Sequence, residues 1–215
     1  LAIELTRQRL SPFGNRAHVM QASYLQSAEI LQMIGWQGVD GIVMDLGVSS
    51  MQLDQSERGF SFRHDGLLDM RFDPTQGQTA ADLVNNLEET DLADIIWRYG
   101  EERYSRRIAR AILRARPLKT TGELAEVVRN AIGRSKEKQD PATRTFQALR
   151  IAVNDELKTV EQAIPRLIAL LNPYGRLAVI SFHSLEDRLV KQAFKRESSD
   201  CICPPEQPVC TCGHK

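Results

Sequence analysis

The sequence of 215 residues has no long apolar run and no excess of charge of one sign. No hydrophobic stretch approaches the roughly 20 residues that a bilayer-spanning helix needs, and the first residues lack the basic, apolar and small-residue succession of a signal peptide. Lysine plus arginine and aspartate plus glutamate number 28 each, so no global basic field draws the whole chain to nucleic acid. We therefore expect a cytoplasmic protein without a membrane partner, in which any contact with nucleic acid relies on local patches.

Cysteine is confined to the C-terminal segment, at Cys201, Cys203, Cys210 and Cys212, so no disulfide framework holds the body of the chain together. Two Cys-x-Cys pairs are joined by a proline-containing loop, with His214 close behind, and such a grouping could bind zinc. A reduced, flexible cysteine-rich tail is the alternative. The sequence leaves the metal undecided.

Helix and strand signals alternate along most of the chain, which indicates an α/β fold. The apolar runs are typical of buried parallel strands. Between them, residues 47–78 form a polar, glycine-punctuated stretch that is too long for an idle connection. The predicted elements are helices over 1–10 and 27–34, strands over 17–20, 39–46 and 176–182, and a helix over 184–195 that Ser184 and Asp187 cap.

Ligands in an open parallel sheet gather beyond the carboxyl ends of the strands. Asp45 ends an apolar strand, Gly47 permits close backbone approach, and Gln52 is one of several neutral hydrogen-bonding groups beside it. This set fits a polar organic ligand, although an aspartate that caps a turn gives the same pattern. The segments that meet the condition are 22–24, 45–50 and 181–188.

Longer motifs favour the ligand-binding interpretation. Residues 45–74 read DLGVSSMQLDQSERGFSFRHDGLLDMRFDP, and this run closely resembles the RsmH (MraW) family of 16S ribosomal RNA cytosine-N4 methyltransferases. Residues 100–104, 141–150 and 181–188 are similar to further blocks of the same family, in the same order. Long blocks in one order are far more specific than a lone GxGxxG.

The resemblance implies a Rossmann-like class I S-adenosylmethionine-dependent methyltransferase domain with a helical inserted domain. It also implies an enzyme that uses S-adenosyl-L-methionine to methylate N4 of a cytidine in the decoding region of 16S rRNA, in the small ribosomal subunit. Family members carry a first strand and a glycine-rich cofactor loop before the position of Leu1, and a basic tail after that of Lys215, so we expect a fragment lacking both ends. The alternative is a noncatalytic RNA-binding or ribosome-assembly fragment without competent cofactor binding. Whether the protein forms a homodimer stays open.

The predicted domain organisation combines the family resemblance with the pattern of helix and strand signals. Residues 79–139 carry no strand signal but several helix signals, among them a capping box of Thr120 and Glu123. A single long helix is predicted from Asp140 onward, because apolar residues mark one face as far as Val160. We predict a methyltransferase domain over 1–78 and 140–197, a helical substrate-recognition domain over 79–139 and a cysteine-rich tail segment over 198–215.

By position in the family motifs, Tyr24, Asp45 and Gln52 match cofactor-binding residues. An aromatic ring suits the flat face of adenine, while Asp45 and Gln52 would hydrogen-bond near the methionine end. Methylation of a delocalised amine requires an acceptor near the amino hydrogens, and Asp45 or a backbone carbonyl is the candidate. His183 or Ser184 could orient the base or relay its proton, whereas a loop histidine bonded to a neighbouring carbonyl is the alternative.

Two arginine groups are candidate RNA contacts. Arg58 and Arg63 flank two phenylalanines, a combination suited to phosphate contact and base stacking, although both rings could instead be core anchors. Arg103, Arg107 and Arg110 share one face of a predicted helix, together with Arg114. A solvated helix face is the alternative there, but a neutral protein needs a local basic surface to hold RNA.

Overall fold

The computed structural model describes residues 2–133, 138–204, 206–207 and 209–213. Short 3-10 turns at Ser11–Arg16, Tyr24–Gln26 and Ser56–Arg58 accompany the regular elements. None of the helices in these ranges combines the length and apolar character that crossing a membrane would need. The regular elements are α1 (Ala2–Leu10), α2 (Ser27–Met33), β1 (Val39–Asp45), α3 (Ser50–Asp54), α4 (Ala80–Asn86), α5 (Glu89–Gly100), α6 (Ser105–Ala115), α7 (Thr121–Ile132), α8 (Ala142–Asn154), α9 (Glu156–Ile168), β2 (Leu171–Ile180) and α10 (Ser184–Glu197).

The chain divides into two compact units. One comprises residues 1–47 and 157–215 and contains both strands; we call it the sheet unit. The other comprises residues 48–156, and its described regular elements are all helices; we call it the helical unit. The helical unit takes in the polar stretch from residue 48 and helix α8 as well as the segment predicted to be inserted. The functional division into domains stays a prediction.

The sheet unit is built on a parallel pair of strands, as the α/β pattern predicts. β1 and β2 pair from Gly41↔Arg176 to Asp45↔Ile180. Because side chains alternate across a strand, Met44 turns inward, while Val43 is 73% exposed on the opposite face. The inward residues pack against apolar residues of α9 and α10, and this core consists of Met44, Leu46, Val160, Ala163, Ile164, Leu167 and Val190.

The helical unit has a core of its own, formed where one apolar face of each helix turns inward. Ile108 and Ile112 of α6 are fully buried, whereas the arginines of the same helix point to solvent. Capping boxes fix where helices begin: Thr79 with Asp82 opens α4, and the predicted pair of Thr120 and Glu123 opens α7. The largest buried side chains of this core are Leu68, Met70, Val84, Leu92, Ile96, Ile108, Ile112, Leu124 and Leu149.

Four sequence predictions were wrong in detail, and the fourth concerns strand β2. Residues 17–20 form no strand, because the described part of the chain offers them no ladder partner. The predicted long helix is two helices, α8 and α9, since Asp155 adopts a left-handed conformation (φ 48°, ψ 37°) that ends the first. The N-cap of α10 is His183 and not Ser184, because the imidazole, one residue earlier, accepts the N–H of Glu186.

Strand β2 begins earlier than the apolar run predicted. It starts at Leu171, opposite Val39, but the next matched pair is Gly41 with Arg176. Residues 172–175 therefore bulge out of register, and Tyr174 has a φ of 68° there. The bulge contains Pro173 and polar residues, which is why a search for apolar runs places the start of the strand too late.

Candidate functional site

The carboxyl ends of β1 and β2 lie side by side in the sheet unit. Asp45 is paired with Ile180, and the N–H of Leu46 donates to the carbonyl oxygen of Ile180 at 3.1 Å. The segments that follow the two strands thus start next to each other. Gly47 has a φ of 85°, a left-handed conformation that lets the chain turn sharply after Asp45.

Tyr24 reaches this edge from the loop before α2. Its own position is fixed by a capping box, in which Ser23 accepts the N–H of Leu25 and Gln26 accepts the N–H of Ser23. The Tyr24 hydroxyl donates to the backbone carbonyl of Asp45 at 3.4 Å. Tyr24 is 37% exposed, so part of the residue stays accessible to a ligand. Two of the three predicted cofactor residues are therefore neighbours.

His183 follows β2 and serves as the N-cap of α10. Its Nδ1 accepts the N–H of Glu186 at 3.4 Å. Nε2 is buried and lies 3.2 Å from Glu186 Oε1, an approach that does not meet hydrogen-bond geometry. Both ring nitrogens thus face α10. The role predicted for His183, orienting a base or relaying its proton, stays a prediction, and this geometry favours positioning.

Sequence reasoning missed two residues at this edge. Glu186 is buried, and its Oε2 accepts the backbone N–H of Phe182 at 3.0 Å, so it ties the segment after β2 to α10. Phe182 itself is 70% exposed, an unusual position for a phenylalanine in a connecting segment. The signal for Glu186 is its spacing of three residues from a capping side chain; that for Phe182 is an aromatic ring directly after a strand.

Gln52 lies in the helical unit, on the short helix α3. Its Oε1 accepts the backbone N–H of Ser49 at 3.0 Å, and Ser49 Oγ accepts the N–H of Gln52 at 3.4 Å. The carbonyl end of the side chain is thus engaged in a capping box. The Nε2 amide is the group that could donate to a ligand. A cofactor role for Gln52 stays a prediction.

Arg58 is directed into the fold of the loop that carries it. Its Nη2 donates to the carbonyl oxygens of Arg71 at 2.7 Å and Phe72 at 3.1 Å. Phe60 is buried and stacks on Phe72, with ring centroids 5.6 Å apart. The core-anchor alternative therefore describes this ring, and the contacts of Arg58 favour holding the loop. Its contact with RNA stays a prediction.

The remaining residues of this loop also divide into those that hold the loop in place and those that are exposed. Phe62 packs edge-on against Phe146, at a centroid distance of 4.7 Å, and so is a second core anchor. Asp65 accepts the N–H of Gly122 at 2.8 Å, and this bond is the main cause that lowers the pKa of the Asp65 carboxyl. Arg63 is exposed and stays a candidate for phosphate contact. Phe62 and Asp65 therefore hold the loop in place, while the Arg63 side chain can reach a ligand.

Arg106 and Arg107 of α6 line an aromatic cavity of about 880 Å³ in the helical unit, together with Arg103 and Tyr104 from the segment before α6. Trp97 of α5 lines it and is 56% exposed, and the Arg103 guanidinium lies 4.7 Å from the centre of the Tyr104 ring. Acidic residues of α5 also line the cavity, among them Asp91 and Asp94. Arg110 is paired with Glu89 at 3.3 Å. Sequence reasoning missed Trp97. The only sequence signal for it is that Trp97 lies away from the apolar face of α5.

The described thiols form one cluster at the C-terminal end of the sheet unit. None of the four cysteines is in a disulfide, and their Sγ atoms lie within 4.8 Å of one another. The backbone N–H of Thr211 is the main cause that lowers the pKa of the Cys203 thiol. For Cys201 the backbone N–H of Cys203 lowers the pKa, but neighbouring thiols outweigh it and raise the pKa to about 12. His214, the further candidate ligand, lies outside the described residues.

Comparison with known proteins gives one consistent result. The chain matches the MraW methylase family over residues 1–215. It is 54% identical to the ribosomal RNA small subunit methyltransferase H of Geobacter sp. (strain M21), covering 99% of this chain and 70% of that protein. It is 51% identical to the protein of the same name from Dehalococcoides mccartyi (strain BAV1), covering all of this chain but only 61% of that protein. The protein of that name from Symbiobacterium thermophilum is 50% identical, over 99% of this chain and 68% of its own length.

Proposed function

Because the chain belongs to the MraW methylase family, we propose that it is an S-adenosylmethionine-dependent methyltransferase that acts on 16S rRNA of the small ribosomal subunit. The names of its relatives support the small-subunit rRNA substrate. The finer parts of the proposal are the target atom, N4 of a cytidine, and its place in the decoding region. They rest on the resemblance of residues 45–74 to the family motif. A cytoplasmic location belongs to the same proposal.

The observation that carries the proposal is the contact between Tyr24 and Asp45 at the carboxyl end of β1. This is where an open α/β sheet binds its ligand. The partly exposed ring of Tyr24 offers a flat apolar face to adenine, and the exposed carboxylate of Asp45 offers acceptor oxygens. The turn at Gly47 lets the main chain approach the ligand closely. When bound, S-adenosylmethionine supplies a methyl group on a sulfonium sulfur, and this sulfur leaves as a neutral thioether when the methyl group is transferred.

The residues at this edge can also position the reacting base. The lone pair of a cytosine amine is delocalised into its ring, so an acceptor for the amino hydrogens assists its rehybridisation. Asp45 is the side chain best placed for this, and a backbone carbonyl of the same segment is the alternative. Phe182 offers an exposed ring on which a base can stack. His183 acts by fixing the segment after β2 to α10.

We infer RNA contact for the aromatic cavity of the helical unit. Trp97 and Tyr104 supply stacking faces, and Arg103 and Arg107 supply cations in the lining of the same cavity. Arg63 is a further exposed cation. Arg110 can join only by exchanging its ion pair with Glu89 for a phosphate, which makes it the weakest of the four contacts.

Calorimetric titration of the chain with S-adenosylmethionine tests the cofactor site. We expect binding that Asp45→Ala weakens about tenfold to a hundredfold, the range for hydrogen bonds to a charged group. Asp40→Ala, at the other end of β1, is the matched control and should leave the affinity unchanged. The Geobacter relative is the positive control. Equal affinities of the two variants would refute the assignment of Asp45.

A noncatalytic RNA-binding or assembly module is the alternative function, and one observation favours it. The outer face of the β1–β2 pair carries exposed apolar residues, Val43 and Ile180, whereas parallel sheets are normally covered on both faces. A cofactor edge that rests on one packed layer could be too loose to bind. Absence of S-adenosylmethionine binding by the chain, with retained binding of small-subunit rRNA, would identify this alternative.

A further inference from the structure

The strongest unassigned feature is the thiol cluster of Cys201, Cys203, Cys210 and Cys212. We propose that these four cysteines form a tetrahedral structural zinc site. The proposed methyltransferase chemistry makes no use of the cluster, so the site is independent of that function. A site of four thiolates fills all four positions of the ion and leaves none for a substrate or water, so its role is to hold the segment in shape.

The sulfur separations match tetrahedral coordination. Zinc–sulfur bonds are about 2.3 Å long, so the edges of a tetrahedron of four sulfurs around zinc measure about 3.8 Å. Cys210 Sγ lies 3.5 Å from Cys201 Sγ and 3.5 Å from Cys212 Sγ, and Cys201 and Cys212 are 3.9 Å apart. Cys203 Sγ completes the set within 4.8 Å of the other three. A disulfide would require a sulfur separation of about 2 Å.

The backbone around the cluster is arranged to support thiolates. The N–H of Cys203 donates to Cys201 Sγ at 3.4 Å, that of Thr211 to Cys203 Sγ at 3.4 Å and that of Ile202 to Cys212 Sγ at 3.5 Å. Such bonds disperse the negative charge that four thiolates place around one divalent ion. Each coordinating thiol releases its proton to solvent, and four protons leave as one Zn²⁺ enters.

The loop between the two Cys-x-Cys pairs is braced by Gln207. Its Nε2 donates to the carbonyl of Val209 at 3.0 Å and to Thr211 Oγ1 at 2.7 Å, and its backbone N–H donates to the carbonyl of Pro204 at 3.0 Å. These bonds bring the pairs together without any contribution from the thiols. An iron–sulfur cluster would hold the four thiolates farther apart, because inorganic atoms would lie between them.

The metal content of the chain tests the proposal. The chain, without a histidine tag, is expressed in zinc-supplemented medium and purified under reducing conditions, and its metals are measured by mass spectrometry. We expect equimolar zinc, lost in Cys201→Ser and in Cys212→Ser but kept in Val209→Ala, an exposed neighbour of Cys210. Absence of zinc from the unsubstituted chain, iron in its place, or disulfides in the intact mass would each overturn it.

A second measurement does not depend on whether the variants fold. The metal-free, reduced chain is titrated with Co²⁺, which reports coordination by its visible spectrum. We expect saturation at one Co²⁺ per chain, with the intense bands of a tetrahedral site and sulfur-to-cobalt charge transfer, and complete displacement by Zn²⁺. A pale six-coordinate spectrum without charge-transfer bands would refute the site. Protection of all four thiols from alkylation after addition of Zn²⁺ is the corresponding result for zinc itself.

Discussion

Replacing Asn154 by alanine tests whether the loop of residues 59–79, which precedes α4, is held by the end of α8. Asn154 Nδ2 donates to the carbonyl of Met70 at 2.8 Å, and its Oδ1 accepts the N–H of Phe72 at 2.7 Å. Met70 is fully buried with a φ of 63°, an uncommon conformation that surrounding contacts must maintain. Two lost bonds at about 1 kcal/mol each predict a loss of about 2 kcal/mol in the free energy of unfolding.

Urea unfolding of the helical unit measures this loss. Trp97 lies in the helical unit and Trp36 in the sheet unit, so a Trp36→Phe background lets fluorescence report the helical unit alone. With a slope of about 1 to 3 kcal/mol/M, the midpoint should fall by roughly 0.7 to 2 M. Asn130→Ala, on an exposed position of α7, is the control and should change stability by no more than its helix propensity. A loss for Asn154→Ala equal to that of the control would refute the reasoning.

Two further predictions concern charged residues of the helical unit. Arg58→Lys should destabilise the unit by about 1 to 3 kcal/mol, because the planar guanidinium donates from Nη2 to both carbonyls while it lies over the Phe60 ring at 5.6 Å, and an ammonium on a flexible stem does not reproduce this packing; Arg63→Lys, the exposed control, should be neutral in the same urea assay. The pKa of Asp82 lies below its ordinary value of 3.8, chiefly because Thr79 donates to it. The stability that the ionised Asp82 carboxylate contributes is therefore present above pH 3.8 and is lost as the pH falls through the pKa of Asp82 in the folded state. In acid unfolding curves, the loss of stability caused by Asp82→Asn should disappear at low pH. A loss of stability that persists at low pH would contradict this prediction. An equal loss in the control Asp91→Asn, at an exposed position, would also contradict it.

Local signals predicted the start of α7 and the apolar stretches that pair in β1 and β2, whereas they misplaced the N-cap of α10 and the start of β2. The capping box at Thr120 and the apolar run ending at Asp45 need only neighbouring residues, and both are confirmed. The break at Asp155 was hidden because apolar positions keep a helical spacing on both sides of it. Trp97 is a different case, because its place beside the cavity depends on the packing of α5 against α6, whereas Glu186 contacts its near neighbours Phe182 and His183.

The helix caps also decide which candidate residue can report on ligand binding. Gln52 closes the capping box of α3, and His183 caps α10. Alanine at either position removes a cap worth about 1 kcal/mol together with any contact to a ligand, so a lost activity would have two explanations. The Asp45 side chain caps no described helix, and Tyr24 is anchored to its backbone carbonyl. Replacement of Asp45 therefore alters the chemistry of the strand end while leaving the contact that positions Tyr24, and a lost affinity there has one cause.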